Sequence, residues 1–178
     1  MRVLITGIRG FVGRHLADLL LSKKGLELHG LGRHVSRNNA ERPLSKKIVF
    51  HPCDVCDPQA VTLTLKKINP DRLFHLAAQS FVPSSEASPR ETLSVNMIGQ
   101  LNILEALRLS GAHPRVHIAG SSEVYGRALT KELPIRETNP LRPLNTYAVS
   151  KAAQDLLAYQ YYQSFKIPIV RTRAFNHT

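Results

Sequence analysis

One pair of residues has the types and the spacing needed for proton transfer. Tyr147 and Lys151 are four residues apart, so on a helix they share one face. An ammonium group near a phenol favours the phenolate, and we therefore expect Lys151 to lower the pKa of Tyr147. Tyr147 could then give a proton to an alkoxide formed by hydride transfer, or take one in the reverse direction. Ser121 is expected to hydrogen-bond the same oxygen.

A carboxylate lies close to this group in the sequence. Glu123 stands in the segment Gly-Ser-Ser-Glu-Val-Tyr-Gly, two residues after Ser121. It could act as a general base on the carbon next to a ketone. It could equally be a structural acceptor for loop N–H groups, and both interpretations stay open at this stage.

A glycine-rich turn near the start of the chain predicts a nucleotide site. Gly7, Gly10 and Gly13 follow a short apolar segment and open a helical pattern. In such a turn the first glycine permits the tight bend, the second lets the backbone approach a pyrophosphate, and the third allows close packing of helix on strand. The N-terminus of the helix then offers free N–H groups to the phosphates.

The residues after the second predicted strand favour NADP(H) over NAD(H) as the cofactor. An NAD site places an acidic residue there, whereas this chain has Arg33, which suits a 2′-phosphate. Arg9 in the glycine-rich turn could add a second charge. Arg33 could also be a solvated loop residue. Asp54 could accept a bond from the adenine amino group, or it could be a helix cap.

Apolar strand patterns alternate with helical patterns along the chain. We predict strands over 2–6, 26–31, 48–51, 72–77, 115–119 and 167–172, and helices over 11–23, 58–68, 91–110 and 147–165. Asp57 is a candidate cap for the second helix, and Gly111 for the end of the third. This alternation predicts an α/β fold, with a doubly wound parallel sheet and helices on both faces.

The two longest predicted helices carry apolar residues on more than one side. The helix over 91–110 contains a set that cannot all face one sheet, namely Leu93, Val95, Met97, Ile98, Leu101, Ile103, Leu104 and Leu107. A helix of this kind is usually buried twice, which predicts a homodimer through the two long helices. The alternative is that residues outside this chain cover them. The proline-containing segment 126–144 lacks periodicity, and loops of this length are usually functional or disordered.

Composition narrows the function classes further. The 178 residues are 43% hydrophobic, enough for one domain with a core. No apolar run approaches the roughly 20 residues of a membrane span, and the start does not resemble a signal peptide, so we expect a cytoplasmic protein that does not bind membranes. The net charge of +11 would suit nucleic acid, but the basic residues are scattered and aromatic content is 6%. We therefore expect no nucleic-acid partner.

The chain has two cysteines, Cys53 and Cys56. Such a pair could be redox-active or form half of a metal site. A zinc site needs about four ligands and the chain has no second pair, so we expect no metal and interpret them as two thiols near the end of a buried strand.

These motifs together resemble the extended short-chain dehydrogenase/reductase family. The resemblance covers the whole chain and also includes His75–Ser80, Val95-Asn96 and residues 120–126. It implies a Rossmann fold with sheet order 3-2-1-4-5-6, catalysis by Ser121, Tyr147 and Lys151, and substrate contacts near Ser80, Glu123 and Asn176. The expected cofactor contacts are Gly7, Arg9, Gly10, Phe11, Val12, Gly13, Arg33, Asp54, Val55, Leu76, Ala77, Ala78, Tyr147 and Lys151.

Within that family, residues 171–178 resemble GDP-6-deoxy-D-mannose reductases and GDP-mannose 4,6-dehydratases. Ser121 and the segment 141–143 lean towards the reductase, which would reduce the 4-keto group of GDP-4-keto-6-deoxy-D-mannose to give GDP-D-rhamnose. The alternatives are the dehydratase or another nucleotide-sugar epimerase or dehydratase, and a cofactor-binding module without catalysis. Family members are considerably longer, so we expect residues 1–178 to be the dinucleotide-binding domain, without the C-terminal substrate-binding region.

Overall fold

A computed structural model describes residues 1–33 and 43–176 of the chain. Its strands are β1 (Arg2–Thr6), β2 (Glu27–Gly32), β3 (Ile48–Pro52), β4 (Arg72–His75), β5 (Arg115–Ser121) and β6 (Ile169–Ala174). Its α-helices are α1 (Phe11–Leu21), α2 (Pro58–Ile68), α3 (Val82–Ala87), α4 (Pro89–Leu93), α5 (Gly99–Ser110) and α6 (Thr146–Phe165). A π-helix (Ser94–Ile98) joins α4 to α5, and two 3₁₀ helices span Ser122–Tyr125 and Thr130–Glu132.

The strands form one parallel sheet in the order β3-β2-β1-β4-β5-β6, which confirms the predicted Rossmann topology. The central strand β1 pairs with β2 on one side and with β4 on the other, so the strand order reverses between β1 and β4. Ligands of doubly wound sheets bind outside the carboxyl ends of the strands at this reversal.

Alternating side chains of β1 serve the two faces of the sheet. Leu4 belongs to a core that contains residues of α2, α5 and α6. Val3 and Ile5 belong to a second core, in which Ala17 of α1 is buried. Both faces therefore carry helices, as the pattern predicts.

Local signals set the helix ends. The Asp57 carboxylate accepts hydrogen bonds from the backbone N–H groups of Gln59 and Ala60, both at 3.0 Å, and so caps α2. Gly111 ends α5 in the left-handed region, at φ 67°. The sixth strand begins at Ile169 and not at Ile167 as predicted. Pro168, which has no N–H for the ladder, precedes it.

The long helix predicted over 91–110 is in fact three consecutive segments. Helix α4 and the π-helix precede α5, and Asn96 is fully buried in the π-helix. Helix α3 and both 3₁₀ helices were not predicted. Among the helices in the described part of the chain, none is long and apolar enough to cross a membrane.

Candidate active site

A cleft of about 610 Å³ lies along the carboxyl edge of the sheet. Most of the predicted cofactor residues line it: Gly7, Gly10, Phe11, Val12, Gly13, Arg33, Asp54, Val55, Leu76, Ala77, Ala78, Tyr147 and Lys151, together with Ser80. The lining also contains residues that were not among the predicted cofactor contacts: Gly32, Cys53, Val95, His117, Ala119, Gly120, Thr172 and Ala174. Arg9, Ser121, Glu123 and Asn176 are not among its lining residues.

The glycine-rich turn is packed too tightly for side chains. Gly7 has φ 70°, and a Cβ there would lie 2.7 Å from the backbone nitrogen of Ala77. A Cβ on Gly13 would lie 2.5 Å from the carbonyl oxygen of Gly7. Helix α1 begins after Gly10 with no side-chain cap and no acidic residue in its first turn. Its first N–H groups are therefore available to an anion, which fits the pyrophosphate of a dinucleotide.

The basic and acidic residues predicted for the adenosine side lie beyond the ends of β2 and β3. Arg33 directly follows β2 and is exposed. Asp54 is exposed and lines the cleft, while one of its carboxylate oxygens accepts a hydrogen bond from the backbone N–H of Cys56 at 2.9 Å. Asp57, and not Asp54, caps α2.

Tyr147 and Lys151 lie in the first turns of α6, whose start is held by two side chains. Asn145 is the N-cap, and its Oδ1 accepts from the backbone N–H of Ala148 at 2.7 Å. The carboxylate of Glu86 in α3 accepts from the backbone N–H of Thr146 at 3.1 Å. These contacts hold the start of the helix that carries Tyr147 and Lys151.

Lys151 is a buried amine. Its side chain runs to the carbonyl oxygen of Ala119 in β5, to which Nζ donates a hydrogen bond of 2.8 Å, and the residue is only 5% exposed. Burial lowers the pKa of Lys151 to about 8. Nζ lies 5.8 Å from the centre of the Tyr147 ring.

Tyr147 differs from expectation in the direction of its pKa. Burial raises the pKa of its phenol, and the negative charge of Glu123 acts in the same direction. A hydrogen bond with Ser121 opposes these effects, but does not outweigh them. The expected lowering by Lys151 is therefore wrong in this structure, because desolvation of the phenolate is the larger cause. A protonated Tyr147 is suited to donate a proton.

Ser121 and Glu123 are coupled through the backbone. Ser121 Oγ accepts from the backbone N–H of Glu123 at 3.2 Å, which leaves the Ser121 hydroxyl hydrogen for another acceptor. The Glu123 carboxylate is exposed and accepts a hydrogen bond of 3.4 Å from the side-chain amide of Asn145. Because Glu123 lies near Tyr147, it is placed for either of the two predicted roles, general base or structural acceptor. Asn176, the other predicted substrate contact, is exposed beyond the end of β6.

Asn96 is a buried site residue that the sequence flagged only within a resemblance motif. Its amide exchanges two hydrogen bonds with the backbone of Gln79, at 2.8 and 3.0 Å, and donates a third to Ser150 Oγ at 2.8 Å. It thereby joins the loop that carries Ser80 to the helix that carries Lys151. No periodicity argument could have found it, because its partners are distant in the sequence.

A neutral histidine lies behind Lys151. His75 Nδ1 and the Thr6 hydroxyl are 2.8 Å apart, and the same hydroxyl accepts from the backbone N–H of Ala77 at 3.2 Å. Burial lowers the pKa of His75 to about 3, with the charge of Lys151 as the next cause. His75 therefore stays uncharged beside the buried amine.

A buried carboxylate holds β6 against α6. Asp155 forms ion pairs with Arg171 at 2.7 Å and with Arg173 at 2.9 Å. Arg173 also donates to the Tyr125 hydroxyl at 3.0 Å. This network ties the segment after Ser121 to the last strand. The final two residues of the motif over 171–178 lie outside the described residues.

The two cysteines carry free thiols, with Cys53 buried and Cys56 partly buried. Burial raises the pKa of both, so each thiol stays protonated. Across residues 1–33 and 43–176, no group of three His, Cys, Asp or Glu side chains is arranged to hold a metal ion.

Sequence comparison matches residues 4–178 to the family model described as GDP-mannose 4,6 dehydratase. The GDP-mannose 4,6-dehydratase of Vibrio cholerae serotype O1 is 37% identical, over 98% of this chain and 49% of that protein. The GDP-6-deoxy-D-mannose reductase of Pseudomonas aeruginosa is 32% identical, over 99% of this chain and 52% of that protein. The chain thus spans about half the length of the curated relatives it matches.

Two solved structures show the same fold with a dinucleotide bound. The UDP-glucose 4-epimerase of Thermus thermophilus, in complex with NAD, has a TM-score of 0.85 and 34% identity, over 97% of this chain and 54% of that one. RMD from Pseudomonas aeruginosa, complexed with NADPH, has a TM-score of 0.79 and 31% identity, over 99% of this chain and 54% of that one. Neighbours therefore bind either cofactor.

Proposed function

This chain belongs to the GDP-mannose 4,6-dehydratase family, and we propose that it carries the site for hydride transfer at C4 of a GDP-linked hexose. The observation that carries the proposal is the arrangement of Tyr147, hydrogen-bonded with Ser121 and one helical turn from the buried amine of Lys151. An NAD(P) enzyme of the nucleotide-sugar class needs an acid, an oxygen-binding hydroxyl and a fixed cation at this place.

The protein's own groups handle the proton. Tyr147, with its pKa raised by burial, donates a proton to the C4 oxygen as that oxygen becomes an alkoxide. The Ser121 hydroxyl hydrogen-bonds the same oxygen, and Lys151, below its pKa of about 8, holds a positive charge behind the phenol. A bound nicotinamide cofactor supplies or accepts the hydride. In the oxidative direction, Tyr147 takes the proton back.

We further propose NADP(H) as the preferred cofactor, with NAD(H) as the alternative. The support is the exposed Arg33 directly after β2, where NAD sites carry an acidic side chain, and Arg9 in the glycine-rich turn. The uncapped N-terminus of α1 suits the pyrophosphate of either cofactor.

The first candidate reaction is the reductase step, in which the 4-keto group of GDP-4-keto-6-deoxy-D-mannose is reduced to give GDP-D-rhamnose. It requires only the three residues Ser121, Tyr147 and Lys151 besides the cofactor. The support is Ser121 itself, the segment 141–143 and the similarity to the reductase from Pseudomonas aeruginosa.

The second candidate is the 4,6-dehydratase reaction, and Glu123 favours it. This reaction needs oxidation at C4, a base that removes the C5 proton, departure of the C6 hydroxyl with a proton as water, and return to C6 of the hydride taken from C4, which a bound nicotinamide cofactor would hold in between. Glu123 is close enough to Tyr147 for its charge to raise the phenol pKa, and Asn145 holds its carboxylate. The similarity to the dehydratase from Vibrio cholerae supports the same assignment.

One pair of assays on this chain distinguishes the candidates. Loss of NADPH absorbance on adding GDP-4-keto-6-deoxy-D-mannose supports the reductase. Formation of a 4-keto product from GDP-mannose, without added cofactor beyond catalytic amounts, supports the dehydratase. Glu123→Gln should impair only the second reaction. NADPH binding with neither turnover would contradict catalysis by this chain and support a cofactor-binding module.

We also propose that two copies associate through the outer faces of the π-helix, α5 and α6. Apolar side chains on these faces are exposed, among them Ile98 and Val149, and Leu156 is 58% exposed. Sedimentation equilibrium tests this: a dimer that Leu156→Glu dissociates supports the proposal, and a monomeric parent chain contradicts it.

A further inference from the structure

The guanidinium of Arg9 lies over an aromatic ring. Its central carbon is 4.3 Å from the centre of the Phe50 ring. Its Nε is buried and has no hydrogen-bond partner among the described residues. Burial of a charged N–H donor without an acceptor is unfavourable. An anion bound at the Arg9 guanidinium would supply the missing acceptor.

Phe50 places the Arg9 guanidinium near the end of β2. In the sheet, Phe50 of β3 pairs with Gly30 of β2. Its ring reaches past that position, because a Cβ on Gly32 would lie 3.9 Å from Phe50 Cε2. Arg33 is the next residue and lines the cleft. The stacked Arg9 therefore lies beside the same strand end as Arg33.

The backbone of Arg9 is held as well. Its carbonyl oxygen accepts a hydrogen bond of 2.9 Å from Arg14 Nε, and the next residue, Gly10, is the N-cap of α1. A fixed backbone and an aromatic ring together restrict the long Arg9 side chain. Stacking on a ring leaves the hydrogen-bonding capacity of a planar guanidinium almost intact, since the N–H groups at its edge can still bind a phosphate.

We propose that Phe50 is a positioning residue for cofactor selection, which presents Arg9 to the 2′-phosphate of NADP(H) beside Arg33. The inference rests on the proposed NADP(H) preference and adds a residue to it. The selected group is a phosphate monoester on the adenosine ribose. A role of Arg9 at the pyrophosphate would instead affect both cofactors equally, because the pyrophosphate is common to NADP(H) and NAD(H).

The test compares the dissociation constants of NADPH and NADH on the 178-residue chain, measured by nicotinamide fluorescence at one ionic strength. Phe50→Leu should weaken NADPH binding about five- to tenfold, the size expected for a lost cation–π contact, and change NADH binding less than about twofold. Phe50→Tyr keeps the aromatic face and should retain the selectivity. Displacement by adenosine 2′,5′-bisphosphate and by AMP repeats the comparison without the nicotinamide.

The outcomes separate the two proposals. If the unmodified chain binds NADH as tightly as NADPH, the cofactor preference is wrong. If it prefers NADPH and Phe50→Leu keeps that preference, or loses both cofactors equally, the role of Phe50 is wrong and the preference survives. Should Phe50→Leu not unfold cooperatively, Arg9→Lys decides: it keeps the charge without the flat surface, and unchanged selectivity overturns the inference.

Discussion

The two ends of the cleft are built by different means. We call β1, α1, β2 and β3 the nucleotide half, and β5, the 3₁₀ helix Ser122–Tyr125 and α6 the catalytic half. In the nucleotide half, backbone meets backbone at Gly7 and Gly13, with no room for a Cβ. In the catalytic half, side chains reach across segments distant in the sequence, and one of them, Lys151, brings a charge into the interior.

The difference predicts opposite responses to substitution. Larger side chains at the glycines should lower both stability and cofactor binding in the nucleotide half, because the same backbone surface packs the fold and lines the ligand site. Removal of the buried charge of the catalytic half should damage chemistry while stability is unchanged or improved, because buried charge is retained for function at a cost in stability. Substitutions in the two halves test this difference.

Tyr147→Phe should produce the largest change. Removal of the proposed proton donor is expected to reduce turnover by about 10²–10⁴-fold, while cofactor affinity changes less than about twofold, since in the proposed mechanism the hydroxyl acts on the substrate oxygen. Turnover in the assays above and NADPH fluorescence measure the two quantities. Unchanged turnover would remove Tyr147 from the chemistry.

Gly13→Ala tests the nucleotide half. The new Cβ would lie 2.5 Å from the Gly7 carbonyl oxygen and 2.8 Å from Ile8 Cα, so the backbone must shift. We expect the free energy of unfolding to fall by about 2–3 kcal/mol, measured by urea denaturation.

The matched control is Gly32→Ala, whose Cβ would meet its nearest neighbour at an ordinary 3.9 Å. Its free energy of unfolding should change by less than about 0.5 kcal/mol. Equal losses of unfolding free energy in the two variants would show that the close approach of the backbone at Gly13 does not cause the destabilisation.

Lys151→Met should lower turnover less than Tyr147→Phe does, and it should stabilise the fold. Folding lowers the pKa of Lys151 from its ordinary 10.5 to about 8. The unfolded chain therefore binds the proton more tightly, and the penalty on folding is complete below pH 8. Removal of the buried charge should raise the free energy of unfolding by about 1–2 kcal/mol at pH 7.

The stability difference between Lys151→Met and the parent chain should decrease as pH rises. As pH rises from about 8 to 10.5 the unfolded chain binds more protons than the folded one, so the parent chain gains stability and the advantage of Lys151→Met shrinks. Urea unfolding at pH 7 and pH 10 checks this. A variant less stable than the parent at both values would contradict the comparison.

Asn145→Ala should have the smallest effect. It removes the N-cap of α6, which costs about 1 kcal/mol of unfolding free energy, and also the amide that donates to Glu123. Asn145→Ser keeps a capping oxygen but not that amide. Serine should therefore restore stability, and it should restore dehydratase turnover only if Asn145 plays no part in placing Glu123.

Features of this molecule that depend on local signals could be predicted from the sequence. The glycine-rich turn and the caps at Asp57 and Gly111 follow from spacing, backbone freedom and side chains next to the groups they bind. Alternation of strands and helices predicted the parallel sheet, and its strand order came from the family resemblance. The direction of the Tyr147 pKa could not be predicted, because burial depends on the packed structure. The contacts of Arg9 with Phe50 and of Asn96 with Gln79 join segments that are distant in the sequence, and no periodic pattern predicts such contacts.

The π-helix between α4 and α5 sets the spacing between two close contacts. A π turn holds one residue more than an α turn, so Ser94–Ile98 contains one residue beyond what an unbroken α-helix would hold. Within the π-helix, Asn96 donates a hydrogen bond to Ser150 of α6. After it, Gly99 packs on Val55, where a Cβ would meet Val55 Cγ2 at 2.7 Å. Deletion of a residue between Asn96 and Gly99 would leave the helices intact, yet these two residues could no longer make both contacts at their present spacing.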